Sequence, residues 1–188
     1  MAEKQQTVWF FPGQGSQYKG MGGEELFNAF PQLVNQADEI LGYSIADLCL
    51  RDPEGKLGQT EFSQPALFVV NALMFNKEKG SGVLPDYLAG HSLGEYNTLY
   101  AAGCFDFQTG LRLVKRRGEL MGQAKNGGMA AVIGLPEEKV VGLLNDSGCR
   151  NLDIANVNSS KQVVVSGDID DIHRLKKYCS ENQSRDTQ

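Results

Sequence analysis

The sequence lacks a basic net charge, a long apolar run and a signal peptide, which are typical of nucleic-acid-binding, membrane and secreted proteins. Its 188 residues carry a formal net charge of -5, whereas nucleic-acid-binding proteins normally show a basic field. No apolar run approaches the length of a membrane span, and the polar residues 1–6 lack the apolar core of a signal peptide. We therefore expect a cytoplasmic protein that binds neither nucleic acid nor a membrane.

Metal ligands are also scarce. The chain has 4 cysteines and 2 histidines, and the widely spaced cysteines form no C-x-x-C pair. We expect no metal site. We expect the cysteines to be reduced and packed as small apolar side chains, at Cys49, Cys104, Cys149 and Cys179.

A serine between two glycines is the most informative feature that is present. Ser92 lies between Gly90 and Gly94, after a short apolar segment at 85–89 and before apolar residues at helical spacing that end at Gly103. Strand, sharp turn and helix are the context in which a nucleophile elbow exposes a strained serine. The alternative is a chance match in a chain with 22 glycines.

A second glycine-rich loop, residues 12–17, follows a strand predicted at Val8–Phe11. The loop lacks the third glycine of a dinucleotide fingerprint, since Tyr18 takes its place, and the chain has no Walker pattern. Such a loop can lend the backbone amide of Gln14 to an oxyanion, with the amide of Leu93 as the second donor. A simple tight turn is the alternative.

Arg117 is predicted to face inward on a helix from Asp106 to about Lys125. At about 100° per residue, its side of the helix also carries Gly110, Leu113, Val114, Gly118, Leu120 and Met121. A guanidinium in that position needs an anion, and its fork suits a carboxylate. The partner is either a protein carboxylate in a salt bridge or the carboxylate of a dicarboxylic acyl group.

The first part of the chain alternates between predicted strands and helices. Short helices are predicted at 24–30, 31–41 and 45–50. A longer helix is predicted up to Gly80, with Ser63 as its N-cap and Pro65 in its first turn. Its predicted inward face consists of Leu67, Val70, Leu73 and Met74.

The pattern changes after residue 128 to the order β-α-β-β-α. The predicted elements are strands at 129–133, 152–157 and 162–166 and helices at 136–144 and 169–179. This order is that of a ferredoxin-like module, which needs one more strand that the polar residues 182–188 do not provide. We predict an α/β fold that is incomplete at the C-terminus, with subdomains at 1–126 and 127–180 and a polar tail at 181–188.

Neither histidine is a convincing general base. His91 should point away from the Ser92 hydroxyl, because successive side chains of a strand alternate in direction. His173 should face solvent or pack against its neighbours on its helix. A nucleophilic serine normally needs such a base.

Six ordered motifs resemble those of the malonyl-CoA:acyl carrier protein transacylases, including the discrete trans-acting acyltransferases of polyketide synthases. The similarity spans nearly all of residues 7–180. The motifs are FPGQGSQ at 11–17, TEFSQPA at 60–66, GHSLGEY at 90–96, RGELM at 117–121, GMAAVIG at 128–134, and NVNS with VSG within 156–167.

The resemblance implies a ping-pong transfer for fatty-acid or polyketide synthesis. Ser92 would take a malonyl group from coenzyme A and pass it to the phosphopantetheine thiol of an acyl carrier protein. Arg117 would hold the malonyl carboxylate, and the amides of Gln14 and Leu93 would form the oxyanion hole. The coenzyme A thioester is then a substrate, and no cofactor is bound permanently.

The resemblance also assigns further residues and the architecture. Gln64, Asn158 and His91 would belong to the substrate-binding site. The fold would be a hydrolase-like α/β subdomain with an inserted ferredoxin-like subdomain. The family's general-base histidine lies beyond residue 188, so we expect a C-terminally truncated chain, either a fragment of a longer reading frame or a degenerate protein.

Two other functions are compatible with the residues. One is a serine hydrolase of acyl thioesters, in which water replaces the carrier thiol. The other is a catalytically silent module that binds an acyl carrier protein or a synthase.

Overall fold

The computed structural model describes residues 6–82 and 84–183. The chain divides into two compact units, Met1–Gln123 and Ala124–Gln188, and each has its own apolar core. The predicted α/β class is confirmed. The subdomain boundary after residue 126 stays a prediction.

The first unit contains two strands and six helices within its described residues. In chain order they are β1 (Val8–Phe11), α1 (Gly23–Ala29), α2 (Pro31–Leu41), α3 (Ile45–Leu50), α4 (Thr60–Gly80), β2 (Tyr87–Gly90), α5 (Gly94–Ala101) and α6 (Phe107–Gly122). The strands β1 and β2 pair in parallel, from Val8 opposite Tyr87 to Phe11 opposite Gly90. Both strands therefore end at the same edge of the sheet, where α/β proteins bind ligands.

The long helix α4 begins earlier than predicted. Its N-cap residue is Gln59, whose carbonyl accepts a hydrogen bond from the Ser63 N–H at 2.8 Å. The prediction of Ser63 as the N-cap is therefore wrong, since Ser63 lies inside the helix and is fully buried. Pro65 consequently lies beyond the first turn.

Helix α4 is the centre of the first core. Every side chain from Ser63 to Leu73 is buried, because α5, α6 and the shorter helices pack around it. The predicted inward face is confirmed at Leu67, Val70 and Leu73 and is wrong at Met74, which is 52% exposed. The last turns of α4 are largely exposed, and Met74 lies where they begin.

Helix α6 begins after Asp106, whose side chain accepts a hydrogen bond from the Thr109 N–H at 2.8 Å. The helix ends at Gly122, before the predicted Lys125. Its buried residues are Phe107, Gly110, Leu111, Val114 and Gly118. The predicted inward positions are wrong for three residues that are 41–51% exposed, Leu113, Leu120 and Met121.

Two glycines of the predicted inward face, Gly110 and Gly118, let α6 approach α4 closely. A Cβ atom at Gly118 would lie 3.2 Å from the Cα atom of Glu61. A Cβ atom at Gly110 would lie 2.6 Å from the Cζ atom of Phe68. The helices therefore approach each other closely along the glycine positions, while Leu113, Leu120 and Met121 of α6 stay largely exposed.

The cysteine prediction is only partly correct. Cys49 and Cys149 are buried, Cys179 is half-buried and Cys104 is exposed, and all are free thiols. Cys104 follows α5 in a surface turn, so the prediction of a packed side chain is wrong there. Burial raises the pKa of the Cys49 thiol to about 12 and also raises the pKa of Cys179.

The second unit has the predicted order β-α-β-β-α. Its elements are β3 (Gly127–Ile133), α7 (Glu137–Asp146), β4 (Leu152–Ser159), β5 (Gln162–Asp168) and α8 (Ile169–Gln183). The sheet is antiparallel with the order β3-β5-β4, and α7 and α8 pack on it around Val140, Val163 and Val165. The predicted polar tail begins inside α8, and its residues 184–188, like the N-terminal residues 1–5, lie outside the described residues.

Membrane-spanning helices and clusters of metal ligands are both absent from the described part of the chain. No helix there is long and apolar enough to cross a membrane. Likewise, residues 6–82 and 84–183 contain no group of three or more histidine, cysteine, aspartate or glutamate side chains that could hold a metal ion.

Candidate active site

The turn between β2 and α5 has the predicted strand–turn–helix geometry. Ser92 has a φ of +53°, a conformation that is strained for a residue with a side chain. A Cβ atom at Gly90 would lie 2.3 Å from the carbonyl carbon of Gly94, and a Cβ atom at Gly94 would lie 2.0 Å from the Phe11 carbonyl oxygen. Only glycine fits at these two positions, so the strand and the helix approach closely around Ser92.

The loop after β1 packs directly against this turn. The His91 N–H donates a hydrogen bond to the Phe11 carbonyl at 3.0 Å. A Cβ atom at Gly13 would lie 2.4 Å from the His91 carbonyl oxygen. The loop and the turn therefore hold Gln14 close to the residues beside Ser92.

The two predicted oxyanion donors have unused N–H groups. Among the hydrogen bonds between described residues, neither the Gln14 N–H nor the Leu93 N–H serves as a donor. Leu93 is fully buried and is the N-cap residue of α5, with helical dihedral angles, so its amide belongs to the positive end of that helix. A free amide at the start of a helix, directly after a strained serine, is the kind of donor that an oxyanion hole requires.

Arg117 on α6 reaches the same turn. Its Nη2 donates to Ser92 Oγ at 3.3 Å and its Nη1 donates to Gln64 Oε1 at 2.5 Å. Its Cζ lies 5.9 Å from the centre of the Tyr96 ring, a cation–π arrangement. No carboxylate of the described residues forms an ion pair with it, so the predicted alternative of an internal salt bridge is not realised there.

Gln64 connects Arg117 to the loop after β1. It is fully buried on α4, and its Nε2 donates to Gln14 Oε1 at 3.4 Å and to Met121 Sδ at 3.1 Å. Gln14 Nε2 in turn donates to Thr60 Oγ1 at 3.0 Å. The side chains of Gln14, Gln64, Arg117 and Ser92 thus form one continuous set of hydrogen bonds.

The remaining predicted residues lie elsewhere or are exposed. His91 is exposed, with its Nδ1 3.2 Å from where a Cβ of Gly13 would lie. Asn158 belongs to β4 in the second unit, where its Nδ2 donates to Gln162 Oε1 at 3.1 Å. His173 is exposed on α8, which confirms its predicted position.

The sequence-based reasoning missed the contacts of Tyr96 and Thr60. Tyr96 is four residues after Ser92, one helical turn away, so spacing alone could have placed its ring near the serine. Thr60 had no such signal, because the start of α4 was predicted too late. Both residues contact the charged or polar side chains of the site.

A strained serine at a strand–helix turn, on an α/β unit with unused amides beside it, defines the nucleophile-elbow class of α/β proteins. The chain matches the family described as acyl transferase domain over residues 8–187, and it belongs to that family.

The similarity extends to sequences and structures of known proteins. The chain is 56% identical over 168 residues to polyketide biosynthesis malonyl CoA-acyl carrier protein transacylase PksC of Bacillus subtilis (strain 168), covering 89% of this chain and 58% of that protein. It superimposes on the crystal structure of malonyl CoA-acyl carrier protein transacylase from Burkholderia pseudomallei with a TM-score of 0.87 and 53% identity, covering 91% of this chain and 59% of that one.

A second similar structure contains a partner protein. It is a type II PKS acyl-carrier protein in complex with its malonyl-transacylase, with a TM-score of 0.85 and 35% identity, covering 94% of this chain and 60% of that one. The chain spans 58–60% of the length of these three relatives.

Proposed function

We propose that the chain transfers a malonyl group from coenzyme A to the phosphopantetheine thiol of an acyl carrier protein through an ester on Ser92. The observation that carries this proposal is the Arg117 guanidinium, 3.3 Å from Ser92 Oγ and without a carboxylate partner among the described residues. A guanidinium in this position can bind the free carboxylate of a short diacid whose thioester carbonyl is next to the serine.

The proposed first step is acylation of Ser92. Its Oγ attacks the thioester carbonyl, a C–O bond forms, the C–S bond breaks, and the serine proton ends on the coenzyme A thiol. The amides of Gln14 and Leu93 stabilise the oxyanion, while Arg117 holds the malonyl carboxylate. The carrier thiol then attacks the ester carbonyl, a C–S bond forms, the C–O bond to Ser92 breaks, and the thiol proton ends on Ser92 Oγ.

The other assignments follow from the same proposal. Gln64, Asn158 and His91 are proposed to bind substrate, Gln64 through Arg117. Coenzyme A thioester acts as a substrate and no cofactor is bound permanently. With these substrates, the proposed location is the cytoplasm.

Intact-protein mass spectrometry tests the proposal. Incubation with malonyl-CoA should add one malonyl group to the chain and none to a Ser92→Ala variant, and addition of a holo-acyl carrier protein should move the group to the carrier. Absence of the adduct, with the carrier still captured in a pull-down, would contradict the proposal in favour of a silent binding module. Release of free malonate without carrier would instead indicate a serine hydrolase.

A further inference from the structure

Two asparagine side chains are buried in the core of the first unit. Asn97 on α5 is 0% exposed and Asn71 on α4 is 6% exposed. Buried amides are costly unless they are hydrogen-bonded, and apolar side chains would suffice for packing one helix on another. The hydrogen bonds of this pair therefore indicate a role beyond packing.

The amide pair connects three segments of the chain. Asn71 Nδ2 donates to Asn97 Oδ1 at 3.1 Å and to the Pro12 carbonyl at 3.2 Å. Asn97 Nδ2 donates to the Phe68 carbonyl of α4 at 2.9 Å. Helix α4, helix α5 and the loop after β1 are thereby joined at one point.

Two of the joined segments, the loop after β1 and helix α5, lie beside the proposed oxyanion donors Gln14 and Leu93. Pro12 lies two residues before Gln14, and Asn97 lies four residues, about one helical turn, after Leu93. Neither asparagine lies among the side chains that contact Ser92 or Arg117 in the structure. Their hydrogen bonds act on the backbone that carries the site.

The direction of the Gln14 N–H depends on Gly13, which has no side chain to restrict it. The Gly13 carbonyl shares a peptide plane with the Gln14 N–H, and it accepts hydrogen bonds from the Ser16 hydroxyl at 2.7 Å and the Ser16 N–H at 3.3 Å. The preceding peptide plane contains the Pro12 carbonyl, which Asn71 holds. Both planes around Gly13 are therefore restrained.

We propose that Asn71 and Asn97 are positioning residues that hold the Gln14 amide in place relative to Ser92 and Leu93, so that the oxyanion hole is formed before substrate binds. This inference rests on the proposed acyl transfer at Ser92. A preformed donor pair stabilises the transition state without reorganisation and leaves the affinity for the ground state unchanged.

The test uses an alkyl fluorophosphonate, which labels a reactive serine without malonyl recognition. Ser92 Oγ forms a bond to phosphorus, the P–F bond breaks, fluoride leaves, and the serine proton passes to solvent. The phosphoryl oxygen would occupy the oxyanion position. The maximal labelling rate constant and the probe concentration at half-maximal rate are measured by mass spectrometry.

Asn71→Leu should lower the maximal labelling rate constant about 10- to 100-fold. This loss is smaller than the one expected when an oxyanion donor is removed altogether. The probe concentration at half-maximal rate should stay unchanged. The matched control is Asn76→Leu on the same helix, since Asn76 Nδ2 donates to the Ala72 carbonyl at 2.7 Å and to the Tyr100 hydroxyl at 2.8 Å, away from the loop. The control should label within about twofold of the wild type even where it lowers the unfolding midpoint equally.

Equal rate losses in the Asn71 and Asn76 variants would overturn the inference. If Asn71→Leu does not fold, Asn71→Ser is tested in its place. The serine hydroxyl has one proton, so it cannot donate to both the Pro12 carbonyl and Asn97 Oδ1 as the Asn71 amide does. A wild-type chain that labels with the probe but takes no malonyl from coenzyme A would contradict the proposed function and leave the positioning role standing. A wild-type chain that fails to label at all would contradict both.

Discussion

The Nη2 atom of Arg117 lies 3.3 Å from the Oγ atom of Ser92, although one residue is on α6 and the other is in the turn before α5. In the proposed function, a guanidinium this close to the serine can bind the free carboxylate of only a short acyl group esterified to Ser92. The guanidinium also donates to the side-chain Oε1 of Gln64 and lies 5.9 Å from the centre of the Tyr96 ring. This arrangement supports the proposal that the acyl group is a short diacid such as malonate.

Removal of the guanidinium should affect malonyl and acetyl groups differently. Arg117→Ala should slow malonyl adduct formation about 10- to 100-fold, since a hydrogen bond to a charged group contributes about 1.5–3 kcal/mol, and should leave acetyl adduct formation nearly unchanged. Mass spectrometry with both coenzyme A esters measures the ratio. Arg116→Ala is the control, because Arg116 is exposed and pairs with Glu119 at 3.3 Å; equal loss with both acyl groups would exclude a carboxylate-binding role for Arg117.

A carboxylate in place of the Gln64 amide should compete with the substrate. In Gln64→Glu the new side chain would be buried beside Arg117 and would pair with it, so the malonyl-CoA concentration at half-maximal acylation should rise about tenfold or more. Titration of the acylation rate with malonyl-CoA measures it. Gln59→Glu adds the same charge at the exposed N-cap of this helix and should change little; an unchanged half-maximal concentration in Gln64→Glu would contradict the role of Gln64.

The close approach at Gly94 should make it intolerant of a methyl group. Gly94→Ala places a Cβ 2.0 Å from the Phe11 carbonyl oxygen, so it should lower the free energy of unfolding by about 3 kcal/mol or more. Urea denaturation followed by circular dichroism measures it. Gly80→Ala, in a helix with no atom within 4 Å of the added Cβ, should be neutral or stabilising by up to about 1 kcal/mol; similar losses in both variants would contradict the close packing at the turn.

Relief of the backbone strain at Ser92 should raise the stability of the folded chain. With a φ of +53°, Ser92→Gly should be more stable than Ser92→Ala by about 1 kcal/mol, while both variants lose the malonyl adduct. The comparison uses thermal unfolding of two variants that both lack the hydroxyl, so the difference reports backbone conformation. If the alanine variant is as stable as the glycine variant, the turn is not strained at this residue.

The buried Cys49 thiol should reduce stability at alkaline pH. Its folded-state pKa is raised to about 12 from the ordinary value of 9.0, so between these values the unfolded chain releases the proton while the folded chain keeps it. The free energy of unfolding should therefore fall as pH rises from about 9 towards 12. Cys49→Ala should flatten this slope in urea denaturation at several pH values, whereas Cys104→Ala, at an exposed cysteine, should leave the slope unchanged.

Local patterns predicted much of the fold. The bounds of α2 and α3 match their predicted ranges, and the strand–turn–helix around Ser92 is confirmed. These features depend on residues close together in sequence. The start of α4 was predicted too late, because its first turn has no capping side chain and the serine and proline that follow resemble a start signal.

The amino-acid sequence by itself determined where the chain turns, which segments form strands and helices, and that Ser92 occupies a strained turn, because neighbouring residues decide local conformation. Only the tertiary structure decided which face of α6 is buried and which side chains meet. Gln14, Gln64, Arg117 and Ser92 come from four helix or loop regions far apart in sequence. They meet because Gly118 lets α6 approach α4 at the backbone of Glu61, and no local pattern encodes that distance.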